Sequence, residues 1–325
     1  MTGANETIAV GDVGGTHARF ALATLSPGAP PVVGAIRKYR TADHDGLASA
    51  WSAFVADNGD ASPTAAAIAV AAPIEGDVLR FTNSHWAIDR RVIGATLGLD
   101  RLLLLNDFGA VAHAVSALPA GAFQRLSGPG HDLPAEGAIT VAGLGTGLGV
   151  SLVVRRGGRS QIVESEGGHI GFAPRTEIER RIEQHVVGQH GRCSVERVAS
   201  GPGLADIHAM LGGDAMTAAA LWDAAIDGGD DRAVEALDIL IGAFGAATGD
   251  LSLAHGSSVV VITGGLANRM PGRLASPAFR EAFVAKGRYR ERMERVSVLL
   301  LTEPEPGLIG AAVAFQRGSS QPVTA

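Results

Sequence analysis

A strand, a glycine turn and a second strand occur twice in this chain, over residues 8–25 and again over 139–155. The first copy contains "VGDVGGTHARFAL", where Asp12, Gly14 and Gly15 interrupt an otherwise apolar run with residue types that strands tolerate poorly. The second contains "GLGTGLG", with Gly145, Thr146 and Gly147 at its centre. Two matching hairpins in distant parts of one chain predict a duplicated α/β fold whose halves each present a glycine turn to a cleft between them.

The chain has 325 residues, which suggests about two domains. Apolar residues make up 46% and charged residues 18%, a globular composition. A net charge of −6 gives no electrostatic reason to expect nucleic acid or an anionic membrane as partner. Cys193 is the single cysteine and cannot form an internal disulfide, which fits a reducing compartment. The opening "MTGANETIAV" lacks the basic and apolar regions of a signal peptide. The apolar stretch 138–154 carries four glycines, Thr140, Thr146 and Ser151, and so reads as two strands joined by a turn rather than a membrane span. A soluble cytoplasmic protein is expected.

Strand-like runs such as "TIAVGDV", "AAAIAVAAPI", "DVLRFTN", "RLLLLND" and "SSVVVITGG" alternate with helical patterns over 46–57, 108–118, 178–190, 218–227 and 231–255. This alternation points to α/β. A last helix is expected over 307–315, and 319–325 is expected to fray.

The turns match neither large nucleotide-binding signature. No Gly-Lys-Ser/Thr ends a P-loop, and G-x-G-x-x-G is absent. A glycine hairpin can still bind phosphate, because an anion can reach N–H groups that no Cβ screens, and glycine also permits positive φ. Thr16 and Thr146 add hydroxyl donors, and Asp12 suits Mg²⁺ or its waters beside a phosphate. The plainer alternative is a pair of ordinary hairpin turns. Asn106 and Asp107 follow four leucines, at the strand end where open α/β sheets bind ligands. They serve equally well as a helix cap. Glu164, Glu166, His169 and Glu196 lie on or near glycine-flanked loops and suit a polyhydroxylated ligand, or they are simply solvated charges. His185, His190 and Cys193 fall close together, but one cysteine is too few for a usual structural zinc site.

The ordered set "GDVGGT", "AAPIEGD", "TNSHWA", "NDF", "GLGTGLG", "EGGHIGFAP", "SVERVASGPGL", "ITGG" and "PGLIGAA" spans nearly the whole chain. In this set the chain resembles the bacterial ATP-dependent glucokinases of the sugar kinase, heat-shock protein and actin superfamily. The resemblance implies a two-domain, duplicated actin-like (ribonuclease H-like) fold with an interdomain cleft. It implies phosphoryl transfer from MgATP to the 6-hydroxyl of D-glucose, giving glucose 6-phosphate. By the same resemblance Gly11, Asp12, Val13, Gly14, Gly15 and Thr16 form a first phosphate loop, with Asp12 holding Mg²⁺ through water. Gly145, Thr146 and Gly147 form the second, and Thr263, Gly264 and Gly265 an adenosine motif. Asp107 becomes the catalytic base, and Asn106, Asp107, Glu166, His169 and Glu196 the sugar ligands. A homodimer without zinc is implied.

Two departures stand out. His17 occupies the place of an asparagine after "GGT", and the cysteine-rich zinc motif of the related repressor and kinase family is missing near "GQHGRCSVE". No helix-turn-helix precedes Ile8, which disfavours a repressor. The expected small domain comprises 1–117 with 308–325 and the large one 118–307, with hinges near Leu118 and Gly307. Rival readings are a kinase for another hexose or an amino sugar, a non-catalytic sugar sensor, and a donor such as ADP or polyphosphate.

Overall fold

A computed structural model describes residues 5–59, 62–81, 84–318 and 321–322. Thr82 and Asn83 of the "TNSHWA" motif lie outside the described residues. The chain divides into two compact units, Met1–Leu118 with Glu303–Ala325, and Pro119–Thr302. The second crossing thus lies ahead of the 307/308 expected from Gly307.

The first unit opens with β1 (Glu6–Val13), β2 (His17–Leu25), β3 (Arg37–Arg40), α1 (Leu47–Asp57), β4 (Ala65–Val70), β5 (Arg101–Asn106) and α2 (Asp107–Ala117). β1 pairs antiparallel with β2 and parallel with β4, which pairs parallel with β5. Each face of this sheet is alternately apolar, so each must be covered. Leu47, Ala50, Trp51 and Phe54 of α1 pack with Ala9, Phe20 and Ile68. The opposite face, with Ile8, Val10, Ala67 and Ala69, needs a second helix, which arrives only at the end of the chain.

The second unit contains β6 (Phe123–Ser127), β7 (Gly137–Leu144), β8 (Leu148–Arg156), β9 (Arg159–Ser165), α3 (Glu177–His190), α4 (Gly201–Met210), α5 (Ala218–Asp227), α6 (Asp231–His255), β10 (Val259–Thr263), α7 (Pro277–Val284) and β11 (Ser297–Leu301). Its six strands run in the order β9-β8-β7-β10-β11-β6. The pairings repeat those of the first unit: an antiparallel hairpin, β7 with β8, then parallel neighbours β10 and β11.

Helix α6 is long and apolar enough to cross a membrane, yet 78% of its apolar window is buried inside this unit. It starts where the Asp230 carboxylate accepts the Ala233 N–H at 2.7 Å and stops at Gly256, whose φ of 67° ends the helix. Gly245 and Gly249 let it lie directly on α7, because a Cβ at either would run into the carbonyl oxygen of Phe279 or Phe283.

The chain then returns to the first unit as α8 (Pro306–Gln316), whose Leu308, Ala311, Ala312 and Phe315 cover the face left open by α1. Within the tail expected to fray, Gln321–Pro322 pairs antiparallel with β5, and the other residues of 319–325 lie outside the described ones.

Candidate active site

The parallel strands of the first unit end in register. Asp12 lies opposite Ala69, and Val13 opposite Val70, which in turn lies opposite Asn106. Asp12 and Asp107 therefore leave the sheet from the same carboxyl edge, where α/β sheets bind ligands. The helix-cap interpretation of Asn106 applies: its Oδ1 accepts the N–H groups of Phe108 at 2.9 Å and Gly109 at 3.1 Å, capping α2. Its Nδ2 donates to the Ala72 carbonyl at 3.3 Å. This capping fixes Asp107 at the first helical position, where the positive end of the helix dipole favours a carboxylate.

The hairpin Gly14–Gly15–Thr16 is closed by the Gly14 N–H, which donates to the His17 carbonyl at 2.9 Å. Thr41 braces it from outside. Its hydroxyl donates to the Gly15 carbonyl at 2.7 Å and its N–H to the Thr16 carbonyl at 3.0 Å. Nothing in the sequence signals this role. Neither Gly14 nor Gly15 has positive φ. A Cβ at Gly14 would meet only the His17 carbonyl, at 3.8 Å, and one at Gly145 would meet nothing within 4 Å. The chain's own packing therefore does not call for glycine at position 14 or 145. What glycine supplies there is open space over the backbone.

Asp12 is 22% exposed and lies 3.5 Å from Nη1 of Arg19, whose Nε is 3.3 Å from the Glu305 carboxylate. Burial raises the Asp12 pKa, Arg19 opposes this, and Glu305 adds to it. Gly307 completes the enclosure, since a Cβ there would lie 3.1 Å from the Asp12 carboxyl carbon. Two carboxylates around one guanidinium leave a net negative charge. Mg²⁺ delivered on phosphates needs only one or two carboxylates and keeps several waters, so this donor set fits it. His17 pairs across from Arg40. Burial, then Lys38, Arg19 and Arg40, lower its pKa, so it stays neutral near pH 7.

In the second unit three of the expected sugar ligands, Glu166, His169 and Glu196, lie together. Glu166 precedes the turn Gly167–His169, and His169 Nε2 lies 3.9 Å from Glu166. His169 Nδ1 lies 4.0 Å from Glu196 Oε1. The turn presses flat on β8 because Gly168 has no Cβ to strike the Leu148 carbonyl. Glu164, also noted in the sequence, is on β9 and pairs with Ser151.

The second hairpin adjoins this cluster. The Gly145 N–H donates to Gly147 at 3.0 Å, the Gly201 N–H to Gly145 at 2.8 Å, and the Leu148 N–H to Glu196 Oε2 at 2.9 Å. Gly201 opens α4, capped by the Ser200 hydroxyl, which accepts the Gly203 N–H at 3.4 Å. Ser200 and Gly201 lie within "SVERVASGPGL", where "SGPG" spells a turn locally and nothing in the sequence marks them as site residues. Thr263 is buried in β10, whereas Gly264, with φ of 109°, lies against the end of β7, where a Cβ would strike the Leu144 carbonyl. Asn106 and Asp107 thus belong to the first unit, and Glu166, His169 and Glu196 to the second. Cys193 is buried, and burial together with Glu183 pushes its thiol up to about 11, away from the thiolate that a metal requires.

The family model described as Glucokinase matches residues 9–318. The glucokinase of Zymomonas mobilis subsp. mobilis is 41% identical over 322 residues, covering 97% of this chain and 99% of that one. The crystal structure of a glucokinase from an Antarctic psychrotroph superposes with a TM-score of 0.81 at 31% identity, over 96% of this chain and 99% of the other. A hexokinase of the ROK family from Thermus thermophilus shares the fold, with a TM-score of 0.64 at 22% identity over 95% and 97% of the two chains. An α/β fold with mixed sheets, glycine hairpins at the carboxyl edges of its strands and full-length similarity to these enzymes converge on one conclusion: the chain belongs to the glucokinase family of hexokinase-type kinases, enzymes that phosphorylate glucose.

Proposed function

We propose that the enzyme transfers the γ-phosphoryl group of MgATP to the 6-hydroxyl of D-glucose, with Asp107 as general base. The observation that carries this reading is the position of Asp107, held by the Asn106 cap at the carboxyl edge of β5, with only β4 between it and β1, which bears Asp12. As the 6-hydroxyl oxygen attacks phosphorus, its proton passes to the Asp107 carboxylate. The new O–P bond forms as the bond from phosphorus to the β-phosphate oxygen breaks, and ADP leaves. Such a reaction asks the protein mainly for positioning and charge neutralisation.

The open backbone at Gly14–Thr16 and Gly145–Thr146 suits phosphate oxygens, with Gly147 completing the second loop, and Gly264–Gly265 suits the adenosine end. Asp12 would hold the magnesium through water, and the ion would neutralise charge on the transferring phosphates. Asn106, Glu166, His169 and Glu196 would take the sugar hydroxyls. The recurring strand pairings support a duplicated actin-like fold. Closure on glucose would then exclude water as a competing acceptor. A cytoplasmic homodimer completes the reading.

The test is a coupled assay of wild type and Asp107→Asn against glucose, other hexoses and amino sugars, with ATP, ADP and polyphosphate as donors. The amide keeps shape but cannot take the proton, so kcat should fall about 10²-fold or more while glucose still binds. Near-normal turnover by the variant would reduce Asp107 to a helix residue, and a preference for another sugar or donor would correct the substrate.

A further inference from the structure

The carboxylate of Glu196 faces two ways. Oε1 turns toward His169, 4.0 Å away, in the cluster read above as the sugar site. Oε2 accepts the N–H of Leu148 at 2.9 Å, immediately after the tip of the second glycine hairpin. Leu148 closes that hairpin opposite Leu144. Glu196 also presses on Gly147, where a Cβ would lie 2.5 Å from Oε2. From the other side of the tip, Gly201 donates its N–H to the Gly145 carbonyl at 2.8 Å. One short segment, 194–203, therefore grips both ends of the hairpin. The same segment is tied to the sugar-side turn, because Val195 donates its N–H to the Ile170 carbonyl at 3.0 Å. Leu148 meets that turn as well, through its carbonyl against Gly168.

We infer that Glu196 is a positioning residue for the nucleotide hairpin as well as a sugar ligand, so that one carboxylate couples the two sites. This rests on the reading of 145–147 as a phosphate loop. A hydrogen bond from a backbone N–H to a carboxylate is among the stronger kinds. With Oε2 so engaged, the orientation that offers Oε1 to a sugar hydroxyl is the one that fixes Leu148. Sugar bound to Oε1 holds the hairpin, and nucleotide on the hairpin holds Oε1. Linkage requires the two effects to be equal in free energy.

The test separates this role from sugar binding by leaving the sugar out. The affinity of the non-hydrolysable ATP analogue AMPPNP, with Mg²⁺ and no glucose, is measured by calorimetry for wild type, Glu196→Ala, Glu196→Gln and His169→Ala. The alanine variant should bind AMPPNP roughly tenfold more weakly, the scale of one charge-assisted hydrogen bond. The glutamine variant keeps an acceptor for the Leu148 N–H and should stay near wild type. His169→Ala should also stay near wild type, although both alanine variants lose glucose affinity. Exchange of the Leu148 amide hydrogen should accelerate in Glu196→Ala and be restored in Glu196→Gln. Should the alanine variant not fold, Glu196→Asp, whose carboxylate falls short of Leu148, should show the same weakening. Wild-type AMPPNP affinity in the alanine or aspartate variant would overturn the inference. Failure of the wild-type protein itself to bind AMPPNP would instead overturn the nucleotide reading, and the inference with it.

Discussion

Gly310 of α8 lies directly on the carbonyl oxygen of Ala110 in α2, so close that a Cβ at position 310 would overlap it and come within 3.0 Å of the Ala114 nitrogen. Helix α2 begins with Asp107, so the terminal helix sets the position of the proposed base from behind. Gly310→Ala forces the two helices apart. Overpacking of this kind costs about 1–3 kcal/mol. Calorimetry should show a melting temperature lower by several degrees, and kcat should fall with Asp107 intact. An unchanged melting temperature would mean that the helices separate at no cost.

Thr41 bears on the first hairpin alone. Thr41→Val keeps the shape and removes the hydroxyl that the Gly15 carbonyl accepts at 2.7 Å. Leaving this partly buried acceptor unpaired costs up to about 1–3 kcal/mol. Initial-rate kinetics should show the KM for ATP rising several-fold while the KM for glucose changes little. A glucose-selective defect would move this hairpin to the sugar side.

His113, two turns along α2 from Asp107, gives the fold a specific acid sensitivity. Burial, with Arg317 adding to it, lowers its pKa to about 4, and Nδ1 is buried with no hydrogen-bond partner among the described residues. An unfolded chain would protonate it near 6.5. Between these values the unfolded state binds a proton that the folded state refuses. Stability that is complete above pH 6.5 is therefore lost as pH falls toward 4, by at most about 1.4 kcal/mol per pH unit. His113→Gln cannot titrate, so urea midpoints measured from about pH 7 down to about pH 4.5 should fall less steeply than in wild type. Parallel curves would show that other groups carry the acid sensitivity.

The choice of metal is open to direct test. The donor set around Asp12 suits hydrated Mg²⁺, and the Cys193 thiol is buried. Removal of divalent cations with EDTA should abolish activity, and Mg²⁺ should restore it. A zinc-selective chelator should leave both activity and melting temperature unchanged. Stoichiometric zinc whose removal lowers the melting temperature would overturn this expectation.

Much of the frame is legible in the sequence where local signals are strong. Helix α6 is read to the residue because Asp230 caps it, Gly256 stops it and its apolar spacing is sustained. Both hairpins are announced by glycines in otherwise apolar runs. β4 ends at Val70, short of the expected run through Ile74, because the Ala72 N–H folds back on the Val70 carbonyl at 2.8 Å. Helix α4 escapes a local reading, since Gly-Pro-Gly spells a turn until Ser200 is seen to cap it. At the site, residue types carry the chemistry but not the adjacency. Glu196 lies 48 positions from Leu148, and only the packing of 194–203 on β8 brings them together. Arg19, between Asp12 and Glu305, is invisible for the same reason: one carboxylate is its neighbour across the hairpin, the other arrives with the last helix.

That late arrival governs how the protein can be made. The strands of the first unit leave the ribosome before the second unit is made, but their face bearing Ile8, Val10, Ala67 and Ala69 stays uncovered until α8 has been synthesised. The intervening unit, Pro119–Thr302, is one uninterrupted piece of chain and can complete itself in the meantime. During translation, then, the first unit is begun before the second and finished after it, and the nascent chain carries an open apolar sheet while the second unit is made. Such a surface invites chaperones and aggregation alike. A stop codon just ahead of Pro306 would leave the whole first unit without the helix that closes it.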